Sequence, residues 1–195
     1  IWFRDIPLLR DRCGVEISAA YLKGRANYYC LARGEEFERH PTFPTREEAA
    51  LWPRIREWAL TTETGDRSEI DLPDSYLAWR DLSATGETCI GKECVAYDDC
   101  FVQQARARAA QADVVLVNHH LFFADLAMRT SRAGVEVLPP YEAVIFDEAH
   151  QLEDTVSETT GAELTGGRFT ALAHVVGGII EDEAIRARDI VEGLL

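Results

Sequence analysis

No stretch of these 195 residues stays apolar for long enough to span a bilayer. The opening Ile1-Trp2-Phe3-Arg4-Asp5-Ile6-Pro7 lacks the layout of a signal peptide, so the expected compartment is the cytoplasm. Positive charge is also scarce. The 20 Lys and Arg residues against 34 Asp and Glu leave a net charge of -14, which argues against indiscriminate adhesion to nucleic acid or anionic lipid and confines any DNA contact to a local basic groove. There is no internal repeat and no low-complexity tract. Cysteine is sparse and odd in number: five thiols without a secretion signal suit a four-ligand site plus one bystander better than a disulfide framework. What the chain does have is a hydrophobic fraction of 47%, enough for one core or for a core with an inserted module.

A short amphipathic stretch over 3–12 precedes a strand expected over 15–22, which ends at Lys23-Gly24. The texture then turns helical. Thr45-Arg46-Glu47-Glu48 has the form of a capping box leading into 49–60, where Pro53 should kink or split the helix. Pro73-Asp74 offers another start, with Tyr76, Leu77 and Trp79 as a buried face, and the Ala-, Gln- and Arg-rich run 101–112 predicts a helix. Two similar units follow. The apolar run 113–117 ends in Asn118-His119-His120 and the run 141–146 ends in Asp147-Glu148, each followed by helical pattern over 121–129 and 149–160. This is β-α-β-α, the mark of a parallel sheet covered by helices, with polar residues at the strand ends where such sheets place ligands.

The loop Gly86 to Cys100, GETCIGKECVAYDDC, has two readings. Gly86, Gly91 and Lys92 match the spacing of a phosphate-binding loop, but no hydrophobic strand precedes it, Glu93 stands where Ser or Thr should hold magnesium, and a cysteine sits inside. The metal reading fares better. Cys89, Cys94 and Cys100 supply soft ligands from one loop and Cys30 lies upstream, while Cys13 reads as an ordinary packed thiol. Four thiolates close either a zinc site or an iron-sulfur cluster; the absence of tight C-x2-C knuckles favours the bulkier cluster.

In Val144-Ile145-Phe146-Asp147-Glu148-Ala149-His150, two carboxylates at the end of an apolar run are costly unless they meet cations, and a magnesium-nucleotide is the usual reason. Asp147 would hold magnesium through water, Glu148 would orient the attacking water, and His150 would report the nucleotide state.

Lys23-Gly24-Arg25-x-Asn27-Tyr28-x-Cys30, the three loop cysteines with Phe101, 112–121 and Asp147-Glu148-Ala149-His150 together resemble the DinG/XPD-like superfamily 2 DNA helicases, above all their bacterial DinG and YoaA branch. The resemblance runs from about Ile1 to Glu153. It implies an α/β fold: a partial RecA-like parallel sheet of the first motor domain with an inserted, mostly helical iron-sulfur module. The expected division is 1–29 motor, 30–105 iron-sulfur module, 106–160 motor with the DEAH box, and 161–195 the start of an arch-type insertion. It implies a [4Fe-4S] cluster on Cys30, Cys89, Cys94 and Cys100. It also implies ATP- and Mg2+-driven, five-prime to three-prime unwinding of DNA in repair or replication, with Asp147 and Glu148 as the Walker B pair.

Family members carry a Walker A loop upstream of these motifs, so the chain as given reads as a fragment expected to be inactive alone. Single-stranded and forked or tailed duplex DNA are the implied partners, with single-strand-binding or replication proteins besides, for a monomer associated with the bacterial nucleoid. Lys23 and Arg25 are the expected phosphate contacts, Tyr28 a stacking partner for a base, and Arg106 or Arg108 a further contact. His119 and His120 are adjacent rather than a helical turn apart, so they read as strand-end members of the motor's motif network and not as zinc ligands. The competing classes are a metal-stabilised DNA-binding module without catalysis and an iron-sulfur nuclease. The nuclease would want a metal-binding carboxylate set with a neighbouring lysine, which is not apparent around Asp147 and Glu148.

Overall fold

Ala19–Tyr21 (β1) and Val114–Leu116 (β2) are short apolar runs far apart in sequence, and they pair in parallel with Ala19 opposite Val114 and Tyr21 opposite Leu116. The register is fixed just before the strands begin. The backbone N–H and hydroxyl of Ser18 both donate to Asp113 Oδ2, at 2.8 and 2.7 Å, and Asp113 N–H donates back to Ser18 Oγ at 2.9 Å. Those two donations hold the Asp113 carboxyl below its ordinary pKa. A computed structural model describes residue 2, residues 4–130 and residues 136–160. The chain divides into a unit Ile1–Thr159 and a unit Thr160–Leu195; only the first is described below, and the expected arch-type segment 161–195 lies outside the described residues.

Helix α1 (Asp5–Cys13) ends at Gly14, whose φ of 64° is the left-handed conformation that stops a helix without cost to glycine. The strand expected over 15–22 is only β1, because β2 is its sole described neighbour and ladder pairing runs only from Ser18 to Leu22. Between β1 and β2 lie α2 (Leu31–Arg39), α3 (Arg46–Thr61), α4 (Trp79–Leu82) and α5 (Phe101–Ala110); α6 (His119–Thr130) and α7 (Leu152–Thr160) follow β2. A parallel pair of strands among helices is the α/β arrangement expected for part of a RecA-like sheet. Among the described residues no helix is long and apolar enough to cross a membrane.

Thr45 caps α3 by accepting from Glu48 N–H at 3.1 Å. Glu48 does not close the box: its carboxylate is buried and accepts from Ala78 N–H at 2.8 Å, tying α3 to the approach of α4. Pro53 does not split α3, which runs through it for 16 residues. The helix expected from Pro73 is a turn followed by α4 alone. Tyr76 and Trp79 are buried, but the break in periodicity leaves Leu77 47% exposed.

The core of this region is aromatic. Phe37 meets Trp52 and Phe43 edge-on with centroids 5.1 and 5.4 Å apart, around the fully buried Ile55 and Leu82. Each of those aliphatic side chains contributes roughly 1.5–3 kcal/mol by leaving water. Tyr29 N–H donates to Gly65 O and Cys30 N–H to Leu82 O, each at 2.8 Å, so the segment leaving β1 is stitched between two distant parts of the helical region.

The apolar run 141–146 is not a strand. Among the described residues none pairs beside it, and a lone strand leaves its backbone groups unsatisfied. It packs on α6 instead: Phe146 meets Phe122 edge-on at 5.3 Å and stacks near Phe123 at 6.1 Å, while Tyr141 lies 5.9 Å from Phe122. Asp125, wholly buried on α6, accepts from Val137 and Leu138 N–H at 2.6 and 3.0 Å and from Arg129 Nε at 2.6 Å, which pins the approach to that run.

Candidate functional site

Cys30 and Cys100 are the N-cap residues of α2 and α5. The other two lie in a loop built of successive turns: Cys89 N–H donates to Thr85 O, Cys94 N–H to Gly91 O, and Cys100 N–H to Tyr97 O. Gly91 supplies a φ of 62° within it. All four thiols are free and part-exposed, whereas Cys13 is exposed at the end of α1, correcting the packed thiol expected there.

Cys94 and Cys100 are electrostatic neighbours of Cys30. Burial pushes the Cys30 thiol up, and Cys100 and Cys94 push it further, against the backbone N–H groups of Arg33 and Ala32. Cys89 and Cys100 in turn both act on Arg106. Among the described residues no three His, Cys, Asp or Glu side chains are grouped so as to hold a metal ion. Four soft thiolates are the donor type that either a zinc ion or an iron-sulfur cluster takes.

Arg106 is the more buried of the two arginines on α5. It lies four residues after Val102 and three before Ala109, on the packed side of α5, and its Nε is buried without a hydrogen-bond partner; Arg108 is exposed. The spacing of two residues puts the two arginines on different faces of the helix.

At the exit of β1, Lys23 is already engaged. Its ammonium lies 2.6 Å from Asp66 Oδ2 and 2.9 Å from Oδ1, with Ser68 Oγ at 3.0 Å. Arg25 is part-exposed, without an ion-pair partner among the described residues. Tyr28 is 1% exposed and its hydroxyl accepts from Lys23 N–H at 3.1 Å. This corrects the stacking expectation: a ring sealed in the core offers no face to a base.

Asp147, Glu148 and His150 are exposed. Glu148 N–H donates to Asp147 Oδ1 at 3.0 Å, and His150 Nδ1 lies 3.4 Å from Glu148 Oε2. Glu148 has φ 49° and ψ 46°, a left-handed conformation of the kind that non-glycine residues keep mainly at functional sites. Phe146 brings this group to the second polar cluster, its ring 6.0 Å from that of His119. Asn118 is a helix cap: its Oδ1 accepts from Leu121 N–H at 2.8 Å, and His119 and His120 open α6.

Residues 77–168 match the DEAD_2 family model. The chain is 41% identical over 181 residues to the ATP-dependent DNA helicase YoaA of Haemophilus influenzae, covering 92% of this chain and 28% of that protein. It is 37% identical over 174 residues to YoaA of Escherichia coli, covering 89% and 27%. With the ATP-dependent helicase DinG of Mycobacterium tuberculosis it shares 30% identity over 196 residues, covering 91% and 29%. The matched region thus spans less than a third of the length of these curated relatives.

Proposed function

Because the chain belongs to the DinG/XPD-like helicase family, we propose that it is part of an ATP-dependent DNA helicase moving five-prime to three-prime, in which Cys30, Cys89, Cys94 and Cys100 hold a [4Fe-4S] cluster beside the DNA path. The observation that supports it is that Cys30 N–H is held by Leu82 O, just ahead of the loop that carries Cys89 and Cys94, while Cys30 and Cys100 stand at the N-caps of α2 and α5. The cluster, when bound, supplies a metal crosslink between α2, the cysteine loop and α5 and a centre able to exchange one electron.

Each residue then has a task. Asp147 holds magnesium through water, Glu148 turns the attacking water toward the terminal phosphate of ATP and takes up its proton, and His150, beside Glu148, passes the nucleotide state to the segment around His119. Arg25 carries the larger share of phosphate contact at the β1 exit, since Lys23 divides its charge with Asp66. The substrates in this reading are single-stranded and forked or tailed DNA in the bacterial cytoplasm.

Anaerobic purification of the intact protein with visible absorption and iron and zinc analysis tests the reading. About four irons per chain and a broad brown-yellow band, both lost in Cys94→Ser and kept in Cys13→Ser, are expected. One zinc and no band sinks the cluster.

A further inference from the structure

Asp147 and Glu148 are carried by a run that no strand flanks among the described residues, so their position depends on what grips that run from the side. Helix α6 grips it twice. One grip is aromatic and stands next to the carboxylates: Phe146, the residue before Asp147, lies against Phe122 and Phe123, and Tyr141 lies against Phe122. The other is polar and lies upstream. Asp125, without access to water, accepts from Val137 and Leu138 N–H, and Leu138 is itself buried.

Arg129 closes the polar grip. Its Nε donates to Asp125 Oδ2 at 2.6 Å, its Nη2 donates to Leu138 O at 2.5 Å, its Nη1 lies 3.2 Å from Glu136 Oε1, and the guanidinium stands 5.5 Å from the centroid of the Tyr141 ring. One planar cation thus joins a carboxylate of its own helix to a carboxylate, a carbonyl and a ring of the arriving chain. Tyr141 belongs to both grips, since the ring that Arg129 faces also packs on Phe122. A lysine answers Asp125 but has no fork to reach the rest.

We propose that Arg129 is a positioning residue for ATP hydrolysis: by locking 136–141 onto α6 it sets where Glu148 stands against the bound nucleotide. This rests on the reading of Asp147 and Glu148 as the Walker B pair. The guanidinium has its donors committed to the protein itself, so it acts on the chemistry by placement. Without it the run is held by its aromatic end and by Asp125 alone, and a base misplaced by about 1 Å costs on the order of a hundredfold in rate.

The experiment is steady-state ATP hydrolysis by the intact protein with saturating single-stranded DNA, for Arg129→Gln and Arg129→Lys, each made in wild type and in Glu148→Gln, with thermal midpoints taken on the same samples. Arg129→Gln is expected to lower kcat by about tenfold or more and Arg129→Lys by less, with KM for ATP within a few-fold. In the Glu148→Gln background both are expected to change kcat by less than about twofold, because a base already removed has no position to lose. The same fractional loss in both backgrounds reports a smaller folded fraction and overturns the proposal, as does a wild-type kcat in folded Arg129→Gln. Where Arg129→Gln does not fold, Arg129→Lys decides by the same two comparisons. Glu148→Gln hydrolysing at the wild-type rate fails the Walker B reading and the proposal with it, an outcome visible without any change at Arg129.

Discussion

Lys23 Nζ and Asp66 Oδ2 lie 2.6 Å apart, an ion pair in which the carboxylate is sealed from water while the lysine side chain remains 33% exposed. Oδ2 is held by charge without a hydrogen bond of good angle; Oδ1 takes the directed bonds, from Lys23 Nζ and from the N–H and hydroxyl of Ser68, all at 2.9 Å. The pair joins the exit of β1 to the turn that also holds Tyr29.

Replacing Asp66 with Asn keeps the shape and removes the buried charge that Lys23 answers. Its partly exposed lysine moderates the loss, so we expect about 2–3 kcal/mol of destabilisation. In urea this appears as a lower midpoint with the slope unchanged; a midpoint equal to wild type would mean the pair adds nothing.

Gly65 has φ 64°, and a Cβ added there would stand 2.3 Å from the ring of Phe101. Gly65 O also holds Tyr29 N–H, so this glycine touches the neighbours of both Cys30 and Cys100. Gly65→Ala should cost about 2–4 kcal/mol, from the left-handed backbone and from overpacking together. Iron retention should fall in parallel with the thermal midpoint, and retention at the wild-type level in a destabilised variant would uncouple Gly65 from the ligands.

Asp125 should shape the acid limb of stability. Burial pushes its carboxyl up, but the N–H groups of Leu138 and Val137 and the Arg129 guanidinium outweigh burial and leave the pKa lowered. A lowered folded pKa gives stability that is fully present above the unfolded value, near 3.9, and is lost as pH falls through the folded value. Wild type should therefore lose stability below about pH 4 more steeply than Asp125→Asn, which is weaker at neutral pH. Denaturant midpoints from about pH 6 to pH 2 check this; equal acid slopes would discount Asp125.

Glu148→Gln removes the proposed base and keeps its size. In the intact protein, kcat for ATP hydrolysis should fall by about 10²–10⁴-fold with nucleotide affinity within a few-fold. A variant hydrolysing at the wild-type rate would move the base elsewhere.

Local chemistry was legible in sequence where neighbours in the chain decide it. The Thr45 cap, the run into α5, the helices after 118 and 148, and β2 all follow from spacing and propensity. Contacts across the fold were not. Glu48 left its capping box because a buried Ala78 N–H needed an acceptor. Tyr28 turned inward because its hydroxyl serves Lys23 N–H. The run 141–146 has strand composition, but a strand is made by the one beside it, and aromatic packing on α6 is what holds the run. The cysteines were visible as letters, and the spacing of Arg106 and Arg108 set them on different faces of α5.

The pairing of Ser18 with Asp113 spans 95 residues of chain. The turns of the cysteine loop and the capped helices around them close over far shorter separations, so the entropy of their closure is met early, whereas β1 meets β2 only after the intervening chain has collapsed. The separation predicts a folding order in which the cysteine loop takes shape while the sheet is still open and β1 docks on β2 late.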